Sequence, residues 1–403
     1  MTQEKKFSHI EQPSQAHGVL ASRRSFDANG DDPEIPVRVL FLKPDEAEHF
    51  WKLLERDGLK YPYLRQGKAD TLHLSPGIVL KESLVRGFLR GANVVRNVAL
   101  SIINQSASSL NDHLSKRPLL FAGKTLFDKR INKQLRAHVK NGMSLPIAYD
   151  LIATVAKDGT LEWKCVEIQI CPSGYAGWFD MFSRIITEVK PELSNNTKYQ
   201  RAIGDPLSRM NLKKLTNGEE ILVMDVEPWK EVTYPDQIAQ AKILGDDTSI
   251  PVSVLDVRRG SSESGWVVDV RDPKTEKIIG ERPLNNVLPR MCPEDIKVLE
   301  KKTDGNPERQ KHIYDFLTDH RVNWLWHPSW YLLIAKQDMP MLMRHAETKA
   351  HASTVFNEGE IITEDGVFYF KPIEGNSGKG ITSRPVVAGE KRWFQQITSR
   401  KKN

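Results

Sequence analysis

Apolar and polar positions change period several times along the chain, and each period predicts an element. VRVLFL (37–42) is a continuous apolar run of strand length. Phe50, Leu53 and Leu54 then recur at helical spacing, and a long helical pattern runs from about Val79 to Gln105. Between Phe127 and Lys140, Ile131, Leu135 and Val139 share one side of a helix, while Lys129, Lys133, Arg136 and Lys140 form a basic stripe on another. Such a stripe is either a solvated face or a wall turned toward phosphate or RNA. IAYDLIATV (147–155) and LEWKCVEIQI (161–170) alternate with the period of two expected of antiparallel strands, joined by the turn residues Lys157-Asp158-Gly159. On the second strand Val166, Ile168 and Ile170 fall on one face, and Cys165, Glu167 and Gln169 on the other. Glu167 and Gln169 therefore stand near a strand end, just before CPSGYAGWFDMF turns through Pro and Gly into a helix.

From about Glu219 the rhythm becomes strand, helix, strand. ILVMDVEP (221–228) is an apolar strand ending in Asp225 and Glu227, followed by a helix over 235–244 and the strand PVSVLDV (251–257). This βαβ order predicts a parallel pair with ligands at the carboxyl ends of its strands, where Asp225 and Glu227 stand. GWVVDVRDPKTEKIIGERPL reads as a hairpin and NNVLPR as a strand that leaves Arg290 at the edge of the unit; the charged stretch EDIKVLEKKTDGNPERQ reads as a boundary. Residues 1–35, rich in Ser, Gln, Asp and Gly, read as a mobile tail.

At 403 residues the chain exceeds what one core usually serves, so several domains are expected. No apolar run reaches the roughly 20 residues of a membrane span, which excludes membrane classes, and the amino terminus has no apolar signal region. The cytoplasm is the default compartment. Cys165, Cys171 and Cys292 form neither a CxxC pair nor an even set, against a disulfide framework or a structural zinc site. The net charge of +6 suits phosphorylated ligands. It does not by itself indicate nucleic acid, because no basic motif interleaved with aromatic residues is present.

FYFKPIEGNSGKGI (368–381) sets a lysine ahead of a glycine-rich loop. It is not a Walker A loop: Ile373 stands where the first Gly belongs, and Gly380 rather than Ser or Thr follows Lys379. The aromatic run before it and ITSRPVV after it are strand material, so the expected unit is strand, glycine loop, strand. Such a hairpin can close over a triphosphate with backbone N–H groups from Gly375 to Gly380 and a point charge from Lys371.

The pattern Lys371-Pro372, Gly375, Ser377-Gly378 and Gly380-Ile381 resembles the lysine strand and flap of the ATP-grasp superfamily. NWLWHPSWYLLIAKQDMPML (323–342) resembles the segment that opens this domain in uncharacterised bacterial relatives of glutathionylspermidine synthase, with Lys336 as the second lysine beside the nucleotide. WKCVEIQICPSGYAGW (163–178) and MDVEPWKEVTYPDQIAQAKILG (224–245) are similar to two further elements of those relatives, so the resemblance covers roughly residues 145–397. It implies a fold of α/β and α+β class with a mainly helical amino-terminal region. The divisions are a mixed α/β region over 36–215 carrying Glu167, a Rossmann-like pre-ATP-grasp unit over 216–305, and the first part of an ATP-grasp domain, incomplete, over 306–403.

The activity implied is ATP-dependent carboxylate–amine ligation through an acyl phosphate, with ATP as cofactor and small carboxylate and amine substrates as partners. By the resemblance, Lys336 and Lys371 bind the α- and β-phosphates, and Gly375, Ser377, Gly378, Lys379 and Gly380 form the flap. Arg290 and Glu167 are the candidate catalytic residues, Arg290 holding a carboxylate or developing phosphoryl charge and Glu167 orienting substrate. Gln169, Asp225 and Glu227 are the candidate substrate contacts. His327, ahead of Pro328, is read as a helix start rather than an acid–base group. RWFQQI (392–397) resembles the strand leading to the adenine hinge, and the sequence ends six residues later. The family's Mg²⁺ ligands belong to the subdomain after it, so Mg²⁺ is expected but its ligands are not identifiable, and enzyme activity is conditional on a completed domain. The alternative is a non-catalytic module that binds a nucleotide or partner.

Overall fold

The computed structural model describes residues 38–39, 44–56, 62–65, 68–71, 78–79, 82–143, 145, 147–155, 161–170, 185, 187–189, 191, 212–231, 233–246, 248–335, 338, 341–342, 345, 366–370 and 382–386. The expected tail over 1–35 lies outside them. The chain is of mixed helix and sheet. Its first half runs β1 (Arg38–Val39), α1 (Pro44–Arg56), β2 (Pro62–Arg65), β3 (Lys68–Thr71), β4 (Ile78–Val79), α2 (Glu82–Asn104), α3 (Ala107–Ser115), β5 (Leu120–Phe121), β6 (Lys124–Thr125), α4 (Lys129–Lys140), β7 (Ile147–Val155) and β8 (Leu161–Ile170). After these come α5 (Leu212–Leu215), β9 (Leu222–Asp225), α6 (Tyr234–Leu244), β10 (Val252–Ser253), β11 (Val257–Arg259), β12 (Trp266–Arg271), β13 (Ile278–Pro283), β14 (Asn286–Pro289), α7 (Pro293–Thr303), α8 (Pro307–Leu317), β15 (Asn323–Trp324), β16 (Gly366–Phe370) and β17 (Thr382–Val386).

A four-stranded parallel sheet in the order β10-β9-β14-β15 forms the centre. Every residue of β9 and β14 is buried, as expected of inner parallel strands covered on both faces, and this is why LVMD and NVLP carry no alternation. The charged stretch 294–310, expected as a boundary, instead supplies most of α7 and the start of α8, and the chain then returns to the same sheet as β15. The expected strand 251–257 is broken. Ser253 accepts from the Leu255 amide at 3.1 Å, capping a turn of 3₁₀ helix over Val254–Asp256. Arg271 clamps that turn through Asp256 at 2.6 and 2.7 Å, and the chain leaves the parallel sheet to pair as β11 in the antiparallel sheet β11-β12-β13.

α4 forms where the basic stripe predicted a helix. Asp128 starts it by accepting from the Arg130 and Ile131 amides at 2.6 and 3.2 Å, and Ile131 and Leu135 are buried. The helix also closes the open edge of the sheet. Gln134 accepts from the Trp324 amide at 3.1 Å and donates to the Val322 carbonyl at 2.9 Å, while His138 Nε2 meets the Trp324 carbonyl at 3.1 Å. An edge strand left open would offer these groups to another chain. Behind it Trp324, Trp326 and Trp330 are essentially fully buried, each such side chain contributing roughly 1.5–3 kcal/mol or more of apolar transfer.

Candidate functional site

β9 is flanked by β10 on one side and β14 on the other, so in chain order the sheet reads second, first, third, fourth. The carboxyl ends of β9 and β14 meet at the reversal of strand order, where ligands of open α/β sheets characteristically bind. Asp225 ends β9 and Arg290 follows β14, its amide donating to the Met224 carbonyl at 2.7 Å. Two residues expected from sequence at separate points of the site are thus brought side by side by the parallel pairing.

Neither is open to solvent. Asp225 and Arg290 are each 5% exposed. Asp225 accepts from the Val226 amide at 2.7 Å and contacts the Gln237 side-chain amide at 2.6 Å. Burial, followed by the negative charge of Asp295, pushes the Asp225 carboxyl up to about 7, against the opposing pull of Arg290. At neutral pH it is therefore a carboxyl that can hold a proton and donate it in a hydrogen bond. Gln237 Oε1 has no hydrogen-bond partner among the described residues, and 2.6 Å is an ordinary O–H···O separation. With the amide turned over, protonated Asp225 donates to that oxygen.

Arg290 is not at an edge, as the sequence suggested, but between inner strands, and its guanidinium is engaged. Nη1 donates to Asp236 at 3.0 Å, with both side chains no more than 5% exposed. Its Nε, like Gln240 Oε1, has no partner among the described residues. Asp236 and Gln237 lie in the first turn of α6, after Pro235, and sequence reading missed both. Asp295 also went unnoticed; it accepts from the Cys292 amide at 2.9 Å at the start of α7, and burial raises its carboxyl. The spacing Cys292-Pro-Glu-Asp295 is that of a helix cap, a local signal that could have found it.

Glu227 is not brought into this cluster. Its carboxylate bonds Lys230 at 2.8 Å and also Lys302; against the effect of partial burial, these two lysines hold it below the ordinary carboxylate range. Glu167 and Gln169 lie on β8, where they pair in register with Asp150 and Ala148 of β7, so the antiparallel hairpin forms as expected. His327 serves as the cap of a 3₁₀ helix over Pro328–Leu333, with its ring bonding the Ser329 amide at 3.2 Å and the Leu317 carbonyl at 2.8 Å. Its complete burial pushes the imidazole down to about 4.

β16 and β17 pair antiparallel in continuous register from Gly366 against Val386 to Phe370 against Thr382. Residues 371–381 thus connect two strands of one hairpin. Lys371, Gly375, Ser377, Gly378, Lys379 and Gly380 belong to that connection and, like Lys336, lie outside the described residues. No helix among the described residues is long and apolar enough to cross a membrane. The chain matches no known family model and no curated protein.

Proposed function

We propose that the chain is a nucleotide-binding protein of ATP-grasp type, whose Lys371 loop receives a triphosphate and which serves ATP-dependent ligation of a carboxylate to an amine. The observation that carries this reading is the β16–β17 register. A P-loop requires a helix after the lysine, whereas Thr382–Val386 is a strand paired with the one before the loop. A lysine leaving one strand and a run of glycine amides entering the next make a donor set suited to a polyanion. In this reading ATP supplies the phosphoryl group that activates the carboxylate. Lys371 carries compensating charge, the glycine-rich connection keeps water from the activated acid, and Glu167 and Gln169 orient the substrate. Mg²⁺ belongs to this chemistry; among the described residues no group of three or more His, Cys, Asp or Glu is placed to hold a metal ion.

A second reading, a module that binds nucleotide without turnover, is favoured by a separate observation. Arg290 is committed to Asp236, and Glu227 to Lys230 and Lys302, which leaves both occupied by internal partners. Calorimetric titration of the chain with a non-hydrolysable ATP analogue tests the binding common to both readings. Lys371→Ala is expected to weaken affinity by at least about tenfold, the worth of one charge-assisted hydrogen bond. Unchanged affinity would remove the proposal's main support. ADP formation that depends on added carboxylate and amine then favours the ligase, and binding without it favours the module.

A further inference from the structure

A concavity opens between α2 and α4, lined by none of the residues at the strand ends. It encloses about 640 Å³, a volume ordinary for a small-molecule site. Arg96 of α2 and Lys133, Arg136 and Lys140 of α4 line it, against an apolar wall that includes Leu100 and Met143. Three of the four cations are exposed and Arg136 is half-buried. None has an ion pair among the described residues, although exposed lysines elsewhere on the molecule, such as Lys52, Lys116 and Lys311, pair with a carboxylate one turn away. The sequence explains the difference: no acidic residue occurs between Leu84 and Asn111, or between Lys129 and Tyr149. Two helices with no carboxylate beyond Glu82, at the far start of α2, thus face one concavity, and their positive charges are concentrated there rather than neutralised.

We propose that this groove is a binding site for a multiply phosphorylated small molecule, its phosphates held by Arg96, Lys133, Arg136 and Lys140 and its apolar body resting against Leu100 and Met143. Four cations around one bounded cavity match several phosphates on one ligand, and Arg can engage a phosphate through two N–H groups at once. A nucleic-acid strand would call instead for an extended track with aromatic platforms, and no aromatic residue is among the described residues that line the groove. Its described lining shares no residue with the Lys371 loop, so the proposal is tested separately from the function proposed above.

The test uses the full chain carrying Lys371→Ala and Lys379→Ala, which removes both lysines of the loop, titrated with inorganic tripolyphosphate by calorimetry at low and moderate salt. Binding is expected, weakening as salt rises, and falling by at least about tenfold when Lys133→Ala and Arg136→Ala are added. Arg96→Ala with Lys140→Ala, from the two walls, is expected to weaken it similarly. Among the described residues these four side chains make no hydrogen bond or ion pair, so thermal melting should be unchanged and loss of binding is not loss of structure. No binding up to millimolar tripolyphosphate would overturn the proposal, as would binding that neither pair of substitutions changes. So would a single-stranded RNA that binds through these residues at least about tenfold more tightly than tripolyphosphate, since the groove would then serve a polymer.

Discussion

Replacing Asp225 by Asn should change how stability depends on pH, with a sign opposite to that of most carboxylates. Asp225 faces Asp295, Glu231 and Arg290 in charge, and the Val226 and Gln237 amides in hydrogen bonding. Because burial raises its folded value above the ordinary one, the native state keeps a proton that the unfolded chain releases. The stability this contributes is fully present below about pH 4 and is lost as pH rises through about 7. A rise from 3.8 to about 7, at about 1.36 kcal/mol for each pH unit, corresponds to about 4 kcal/mol. Asn is neutral throughout. Its oxygen can still accept from Val226, and its NH₂ can donate to Gln237 Oε1, which has no partner among the described residues. Urea denaturation at pH 5 and pH 8 measures the difference. Between these two pH values the wild type should lose about 2–3 kcal/mol relative to Asp225→Asn. Parallel profiles, or a wild type that gains on the variant with rising pH, would refute a buried, protonated Asp225.

Removing Arg290 alone, as Arg290→Ala, should destabilise by about 3–5 kcal/mol in chemical denaturation because the buried Asp236 loses its cationic partner; the double change Arg290→Met with Asp236→Leu should recover most of it. The buried His327 imidazole, held at about 4, costs the wild type about 3 kcal/mol on acidification from pH 6.5 to 4, so His327→Gln should remove that contribution and leave stability that falls as pH rises through this window. That dependence runs opposite to the one from Asp225, so a shallow wild-type profile should separate into two steep ones in the single variants. Gln134→Ala should cost about 1–3 kcal/mol and speed hydrogen exchange at the Trp324 amide, which would be left without its side-chain acceptor.

Elements with a sustained period were legible in the sequence: the β7–β8 hairpin, the amphipathic α4 and the apolar β9 all stand close to where the pattern put them. Strand 251–257 misled because its β-branched run hides Ser253, whose side chain competes for the backbone and turns it. β15 was invisible as a strand because two residues carry no period; its place comes from pairing with β14 and from capping by α4, contacts distant in sequence. The same holds at the site. Asp225 at a strand end was readable, but the burial of Arg290 and its Asp236 partner were not, since that pair joins residues 54 apart, one after β14 and one in the first turn of α6. The resemblance that suggested nucleotide binding rests on Lys336 and Lys371, whose positions lie beyond the described residues.

Hydrogen exchange of the whole chain with and without a non-hydrolysable ATP analogue tests the central claim most directly, because it reports where the nucleotide binds as well as whether it does. The account predicts slowed exchange over 366–386, in the Lys371 connection and the two strands that carry it, and loss of that protection in Lys371→Ala. Slowed exchange confined to α2 and α4, or none at any analogue concentration up to millimolar, would contradict it.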